Sequence, residues 1–561
     1  LGFAALSLSQ TQGRDIQSGT WAATDGLGRK LPDYAQAGNP KSDKFVGIFY
    51  FLWMQPSPGQ QLYDNTKLVE ANPTHPAYGP VGAFHWWGQP WLGYYLSSDD
   101  FVIRKHADEL ADAGVDVVIF DVTNGFTYDD TFLKLCKVYT QIRKEGNRTP
   151  QIAFFSHAAP AQVVQHLFDT FYAKGLYSDL WFRWKGKPLI FAPLSGLPPE
   201  VNNFFTIRES WAWTDPNGWF GNGKDKWPWL DNSPQKPSWH DDPNKPEEIS
   251  ISVAQHATTN IGRSFHAGKE PPPNQVHPGN GIYFAEQWDH ARKVNPEFVW
   301  VTGWNEWIAQ RFNNERGTSF LGRALAPGEP FFVDEYNEEY SRDIEPMRGG
   351  HGDNFYYQLA ANVRLFKGVP KPSVPSAFRK INIRKGAGQW DSVRPIYYDH
   401  IRDTAHRDQP GWAGLHYVND TGRNDFVEAR VARDARNLYF TVRTSQPITK
   451  PGGSLWMALL LDIDRRRETG WEGYDYIINR ETGWLEKNKG GWKWEKVCRV
   501  DFTVTGDTLQ LAVPRAKLGL RGRLNFEFKW VDNVPESGNL LDFIDKGDVA
   551  PDGRFNYIFS E

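Results

Sequence analysis

Cysteine is almost absent from this chain, with two in 561 residues, Cys136 and Cys498. Cys136 falls on the apolar face of a predicted helix and Cys498 in a distant C-terminal strand region, so no disulfide is expected. No apolar segment approaches the roughly 20 residues that a bilayer span needs, so no membrane span is expected. Basic excess is missing too. Lys and Arg number 63 against 67 Asp and Glu, a formal net charge of −4, and without a long basic run this argues against a nucleic-acid partner. His85, His157, His240, His256, His266 and His277 show no HxH, HExxH or other close metal spacing. No Ser nucleophile elbow, Walker loop or dinucleotide fingerprint occurs. Chemistry without a catalytic cofactor is expected.

Aromatic residues are abundant, at 15% with 25 Trp, as in chains that handle carbohydrate. The length requires more than one core. Residues 1–40 form an N-terminal extension. Its first nine, Leu1 to Ser9, read either as the tail of a signal-peptide apolar core or as a frayed end, and a secreted or periplasmic location is expected. From residue 45 apolar strands alternate with amphipathic helices, with strands at 45–52, 115–122, 151–156, 188–193, 204–211, 249–254 and 298–301. Residues 331–333 are the candidate eighth, before a helix at 354–366. This pattern predicts a (β/α)8 barrel over 41–368. Long connections at 55–97, 214–248 and 256–279 would wall a cleft on its catalytic face. A Pro-rich linker, 369–376, leads to short alternating strands that predict an all-β sandwich over 377–561. Asn147-Arg148-Thr149 fits a glycosylation sequon.

The segment 298–307 (FVWVTGWNEW) is the most informative. It reads as a buried strand running into a turn that presents Asn305 and Glu306 between Trp304 and Trp307. Indoles offer a platform to the C–H face of a sugar, and their low-dielectric wall raises a carboxyl's pKa toward general-acid work. Barrel chemistry sits at the C-terminal strand ends, which nominates Asp121, His157, Arg208, Glu209, Gln255, His256, Asn305, Glu306, Asp334 and Glu335. Glycoside hydrolysis needs two carboxyl groups roughly 5–10 Å apart. Glu306 is the first choice, with Glu209 or Asp121 as its partner and Asp334 and Glu335 also open. His85, Trp86, Trp87, His157, Trp213, Trp304 and Asn305 would position the sugar. Tyr340 and Arg342 lie in the acidic segment 334–345, which reads either as a solvated, salt-bridged loop or as a contact to sugar hydroxyls.

The segments at 46–53 (VGIFYFLW), 82–90 (GAFHWWGQP), 112–124 (DAGVDVVIFDVTN) and 302–307 (TGWNEW) resemble glycoside hydrolase family 99 and related barrels of polysaccharide-degrading bacteria, over about residues 40–370. In that family the matching motif reads Asn-Glu-Trp-His-Glu. The resemblance implies an essential carboxylate at Glu306, whereas the family's second carboxylate, the general acid/base, falls on Ala309. It therefore implies a relative acting on a different substrate, with either a second carboxyl drawn from another strand or a different role for Glu306. Residues 422–440 and 456–480 resemble family 9 carbohydrate-binding modules. Asp462, Asp464 and Asp475, on adjacent strand ends, read either as oxygen ligands of a structural Ca²⁺ or as acceptors for turn amides. The expected activity is a glycosidase acting on a poly- or oligosaccharide. The alternatives are a non-catalytic glycan-binding barrel, and a metal-dependent hydrolase or polysaccharide lyase. No exposed apolar stripe separates from the barrel pattern, so no oligomeric state is inferred.

Overall fold

The structure, a computed structural model, describes Arg14 and residues 16–561 other than 216, 217 and 316. The signal-like segment 1–9 lies outside the described residues. Seven parallel strands form the frame: β1 (Phe45–Tyr50), β2 (Val117–Val122), β3 (Gln151–Ser156), β4 (Lys187–Phe191), β5 (Thr206–Arg208), β6 (Glu248–Ser252) and β7 (Phe298–Thr302). Their order is β5-β4-β3-β2-β1-β7-β6. The central strands β1, β2, β3, β4 and β7 are largely apolar on both faces, as a covered parallel sheet requires. At the two ends of that order, β5 carries Thr206 and Arg208 on one face and β6 carries Glu248, Ser250 and Ser252. One face carries Phe49, Val117, Ile119, Phe155, Phe191, Phe298 and Trp300, which fill the inside of the curl. The other carries Val46, Ile48, Val118, Phe120, Ile152 and Val299, which pack beneath the helices. Gly47 stands between Val117 and Trp300 in register, and a Cβ there would lie 2.5 Å from the Phe298 ring.

The helices covering the outer face include α1 (Asp100–Ala113), α2 (Asp129–Lys144), α3 (Pro160–Leu167), α4 (Pro199–Phe204), α5 (Ile282–Val294) and α6 (Asn354–Lys367). Helix α1 starts where the Asp99 carboxylate accepts from the Phe101 and Val102 amides and stops at Gly114, in the left-handed region at φ 83°.

The expected eighth strand is elsewhere. Pro330–Phe332 pairs antiparallel with Ile308–Asn313, which in turn pairs with Phe84–Trp86, and β7 pairs directly with β1. The opening in the curl falls between β5 and β6, and the Trp-rich segment 209–248 spans it. Isolated bridges join Glu209 to Lys226, Ala212 to Leu230 and Ser238 to Glu248. Thr302 Oγ1 donates to the Trp229 carbonyl at 2.5 Å and Gln235 Nε2 to the Ser250 carbonyl at 2.9 Å. A loop does the work that a strand was expected to do.

Beyond residue 396, a five-stranded and a seven-stranded antiparallel sheet face one another, with Phe440 of one 6.1 Å from Phe526 and 5.9 Å from Phe528 of the other. A single apolar cluster runs from the outside of the curled sheet through α1 and α6 into this layer. Asn147 lies in that junction rather than on the surface. It is buried, its amide bonded to both backbone groups of Ile401, so the sequon is not displayed. Both cysteines are free, and no helix among the described residues is long and apolar enough to cross a membrane.

Glu247 locks the loop to the sheet. Its carboxylate accepts from Arg208 Nε (2.8 Å) and Nη2 (2.6 Å), Trp184 Nε1 (2.7 Å) and Trp227 Nε1 (2.8 Å). Burial alone would raise its pKa, yet the Arg208 pairing and the two indole donors hold it below the ordinary glutamate range. Glu247→Ala strands the buried Arg208 and is expected to cost about 3–5 kcal/mol in urea unfolding. Because the folded pKa is depressed, this contribution is present above the ordinary glutamate value of about 4.3 and disappears as pH falls through the folded value. The gap between wild type and variant should therefore narrow in acid.

Candidate active site at the strand ends

The turn after β7 is fixed on every side but one. Asn305 Oδ1 accepts from the Phe51 amide at 2.9 Å and its Nδ2 donates to the Phe51 carbonyl at 3.2 Å, which ties the turn to the end of β1. Trp304 is buried against His106 and Tyr356. Trp307 stacks on Trp87 at 4.5 Å and donates to Glu345 Oε2 at 2.5 Å, while Trp87 donates to Asp343 Oδ2 at 2.6 Å. Glu345 also accepts from Tyr95 at 2.6 Å and sits 3.0 Å from His106 Nε2. Asp343 Oδ1 receives the Glu306 amide. With its neighbours fixed in this way, the Glu306 side chain is the one free to meet Arg342.

Arg342 Nη2 is bonded to Glu306 Oε2 and lies 3.3 Å from Glu335 Oε1 and 3.6 Å from Asp334 Oδ1. Its Nη1 donates to the carbonyls of Gln255 and Asp334, each at 3.2 Å, and its backbone amide to Glu335 Oε2 at 3.0 Å. One buried guanidinium thus faces three carboxyl groups, and Glu306 and Glu335 both lie against it. Burial pushes Glu306 up to about 8 against the pull of Arg342, and burial raises Glu335 well above the carboxylate range. Asp334, its side chain 46% exposed, is where this cluster reaches solvent.

Asp121, at the end of β2, accepts from the Thr123 amide at 2.9 Å and is pushed by burial to about 6, with Asp334 and Arg342 close enough to contribute. His256 falls to about 3 through burial and the charge of Arg342, so it is neutral at pH 7. Asp121, His256, Glu306, Asp334, Glu335 and Arg342 therefore belong to one electrostatic cluster at the strand ends. Glu209 does not join it. Its Oε2 is 2.5 Å from Lys226 Nζ, at the first bridge of the closing loop.

The expected sugar platforms divide. Trp86, Trp87 and Trp304 are fully buried and serve packing, because each indole is covered by its own core neighbours. Asn305 serves the turn. His85 is buried against Tyr63 with Nδ1 2.8 Å from Asn65 Oδ1, and burial drives its pKa to about 4. Tyr340, also buried, donates to Asn260 Oδ1 at 2.9 Å. His157 is exposed and stacks on Trp211 at 3.6 Å. Trp213 is half-buried, donates to Gln255 Oε1 at 3.1 Å and stands edge-on to His256. With Trp53 and Trp229, the latter 5.5 Å above the Arg342 guanidinium, these are the half-exposed indoles around the cluster. A cleft of about 490 Å³ opens alongside, lined by Trp53, Tyr63, Phe84, Tyr128, Ile308 and Trp412 among other uncharged residues.

The acidic segment 334–345 is not a solvated loop. Glu335, Glu339, Arg342, Asp343 and Glu345 are all buried. Asp343 and Glu345, which fix the Glu306 turn, were not singled out from the sequence. The available signal was the interleaving of Tyr336, Tyr340 and Ile344 with the charges, which a solvated run lacks. Asp462, Asp464 and Asp475 do come together, offering carboxylate oxygens within 4.8 Å of one another. Asp462 Oδ1 also accepts from the Asp464 and Arg465 amides, and Asp475 Oδ2 from that of Ile463.

Two solved structures of the GH99 endo-α-mannosidase from Bacteroides thetaiotaomicron are similar to this chain. One, in complex with bis-tris-propane, is 14% identical with a TM-score of 0.33 and covers 58% of this chain and 97% of its own. The other is 16% identical with a TM-score of 0.31, covering 58% and 98%. No protein-family model matches the chain, and no curated protein matches it. The chemistry is read from the side chains themselves.

A carboxyl whose pKa is raised on folding binds its proton more tightly in the native state, so its burial favours folding less as pH climbs from the unfolded value toward the folded one. For Glu306 that window runs from about 4.3 to about 8. Glu306→Gln removes the titration, and its urea midpoint should fall less than that of wild type between pH 5 and pH 8.

Proposed function

We propose that the chain hydrolyses glycosidic bonds of a poly- or oligosaccharide, with Glu306 as the proton donor. The observation that carries this is a carboxyl that holds its proton near neutral pH, pushed up to about 8, at the end of a parallel strand and beside half-exposed indoles. As the glycosidic C–O bond breaks, the Glu306 proton passes to the leaving oxygen. The carboxylate left behind already faces Arg342, so its charge is met without rearrangement. Asp121, with a pKa near 6, is ionised at neutral pH and is the preferred second carboxyl, acting from the opposite side as base or nucleophile. Glu209 is set aside because Lys226 and the closing loop engage it. Trp53, Trp211, Trp213 and Trp229 take the sugar faces, with His157 beside Trp211. A secreted location, and a structural rather than catalytic Ca²⁺ at Asp462, Asp464 and Asp475, belong to the same proposal.

The neutral lining of the 490 Å³ cleft favours a second reading, in which the barrel binds a glycan without turning it over. Release of reducing sugar from a panel of plant, algal and host polysaccharides separates the two. A hydrolase should lose on the order of 10² or more in kcat on Glu306→Gln, and Asp121→Asn should lose activity across the pH range. In wild type, ionisation of Asp121 sets the acid limb near pH 6 and that of Glu306 the basic limb near pH 8. Glycan binding with no release by either protein would replace the hydrolase with the binding reading. In both, Trp53→Ala should weaken binding by about 0.5–1.5 kcal/mol, measurable by calorimetry.

A further inference from the structure

The junction between the curled sheet and the C-terminal sheets contains a second group of acids, away from the strand ends. Asp399 and Asp403 flank the turn Asp399-His400-Ile401-Arg402-Asp403, which follows the short strand Tyr397–Tyr398, and Asp548 opens the strand Asp548–Ala550. Their carboxylate oxygens gather within 4.8 Å of one another. They are 1%, 3% and 2% exposed. Among the described residues, no hydrogen bond reaches either oxygen of Asp399, either oxygen of Asp403, or Oδ1 of Asp548. The remaining oxygen, Asp548 Oδ2, accepts from the Phe426 amide. Asp425 adds a fourth negative neighbour to all three.

The cations nearby make no hydrogen bond to these five oxygens. Lys105 Nζ is 3.9 Å from Asp403 but 3.0 Å from Asp552, to which it is bonded. Lys529 Nζ donates to the Pro551 carbonyl, and Arg14 to that of Val427. Buried polar oxygens are ordinarily satisfied, and leaving one bare is costly, the more so when it is charged. Three converging carboxylates with five bare oxygens in one dry site are what a hard cation requires, since Ca²⁺ takes oxygen ligands from several carboxylates at once. The contrast with Asp462, Asp464 and Asp475 is one of degree, because there one oxygen of each carboxylate already accepts from an amide of its own turn.

We propose that Asp399, Asp403 and Asp548 bind a divalent cation, Ca²⁺ by ligand type, that fixes the 399–403 turn against the C-terminal sheets. The turn sorts its residues to two sides. Asp399 and Asp403 face the ion, while His400 reaches Asp108 (3.3 Å) and Asp112 (3.2 Å) on α1, Ile401 holds Asn147, and Arg402 lies 3.6 Å from Glu145. The ion thereby presents the other three residues to the helices of the curled sheet.

The test is metal content and thermal unfolding of the full chain, prepared with Ca²⁺ and dialysed into metal-free buffer. Wild type should retain one more equivalent of Ca²⁺ than Asp403→Asn, while Asp464→Asn retains this ion. EDTA should lower the Tm of wild type and of Asp464→Asn by several degrees, Ca²⁺ should restore it, and Asp403→Asn should not respond to either at this site. Equal ion content in wild type and Asp403→Asn, or a wild-type Tm indifferent to EDTA, overturns the proposal. Should Asp403→Asn fail to fold, wild-type crystals soaked in Tb³⁺ decide. An anomalous peak bounded by the three aspartates supports the site, and its absence in a lattice where the ion binds elsewhere refutes it.

Discussion

Arg342 is the pin on which the candidate site turns. A guanidinium sealed from water is costly unless its hydrogen bonds are met, and here both terminal nitrogens, though not Nε, are met by groups from three separate parts of the chain. The Gln255 carbonyl comes from beyond β6, Glu306 from beyond β7, and Asp334 and Glu335 from the segment that runs back over the mouth. The same contact that orders the loops also surrounds one cation with more carboxyl groups than it can neutralise. Burial together with this surplus raises both Glu306 and Glu335 above the ordinary carboxylate range. Loop order and acid strength are thus two results of one electrostatic fact.

Beneath this pin lies a layer that holds the turn without touching solvent. Tyr50, His106, Glu345, Tyr95 and Trp307 form a continuous polar chain through the apolar core, and Asp343 and Trp87 form a second. Such networks favour a single arrangement, although His106 Nε2 and Glu345 Oε1 meet at 3.0 Å without a hydrogen bond. They explain why Trp304 and Trp307 flank Glu306 in the sequence without offering it a sugar platform. They are the walls of its socket, and the partly exposed indoles are Trp53, Trp211, Trp213 and Trp229, far apart along the chain.

The parallel strands were legible because a strand buried on both faces announces itself as an unbroken apolar run, and 45–52, 117–120 and 298–301 each do so. Glu306 was legible for the same reason, as the first carboxylate beyond such a run. Residues 331–333 were misplaced because three residues of strand carry no information about their partner. They pair with Ile308–Asn313, whose own position depends on Phe84–Trp86. The tryptophans were divisible only with coordinates, since an indole suits a core and a sugar face equally. The segment 334–345 was misjudged on the general behaviour of charge runs, which fails where a buried arginine collects the charges. The grouping of Asp399 and Asp403 with Asp548 crosses nearly 150 positions and leaves no local pattern.

The loop that spans the gap between β5 and β6 also supplies Trp211, Trp213 and Trp229 to the mouth. A regular strand in that place would impose alternation, with every second side chain committed to the interior. A segment anchored at a few bridges and by Glu247 has no such obligation, and it can lengthen, shorten or exchange residues between anchors while the sheet stays intact. Within one ancestral frame, the preferred ligand could then drift through changes in this stretch alone, its anchors inherited and its intervening residues open to selection.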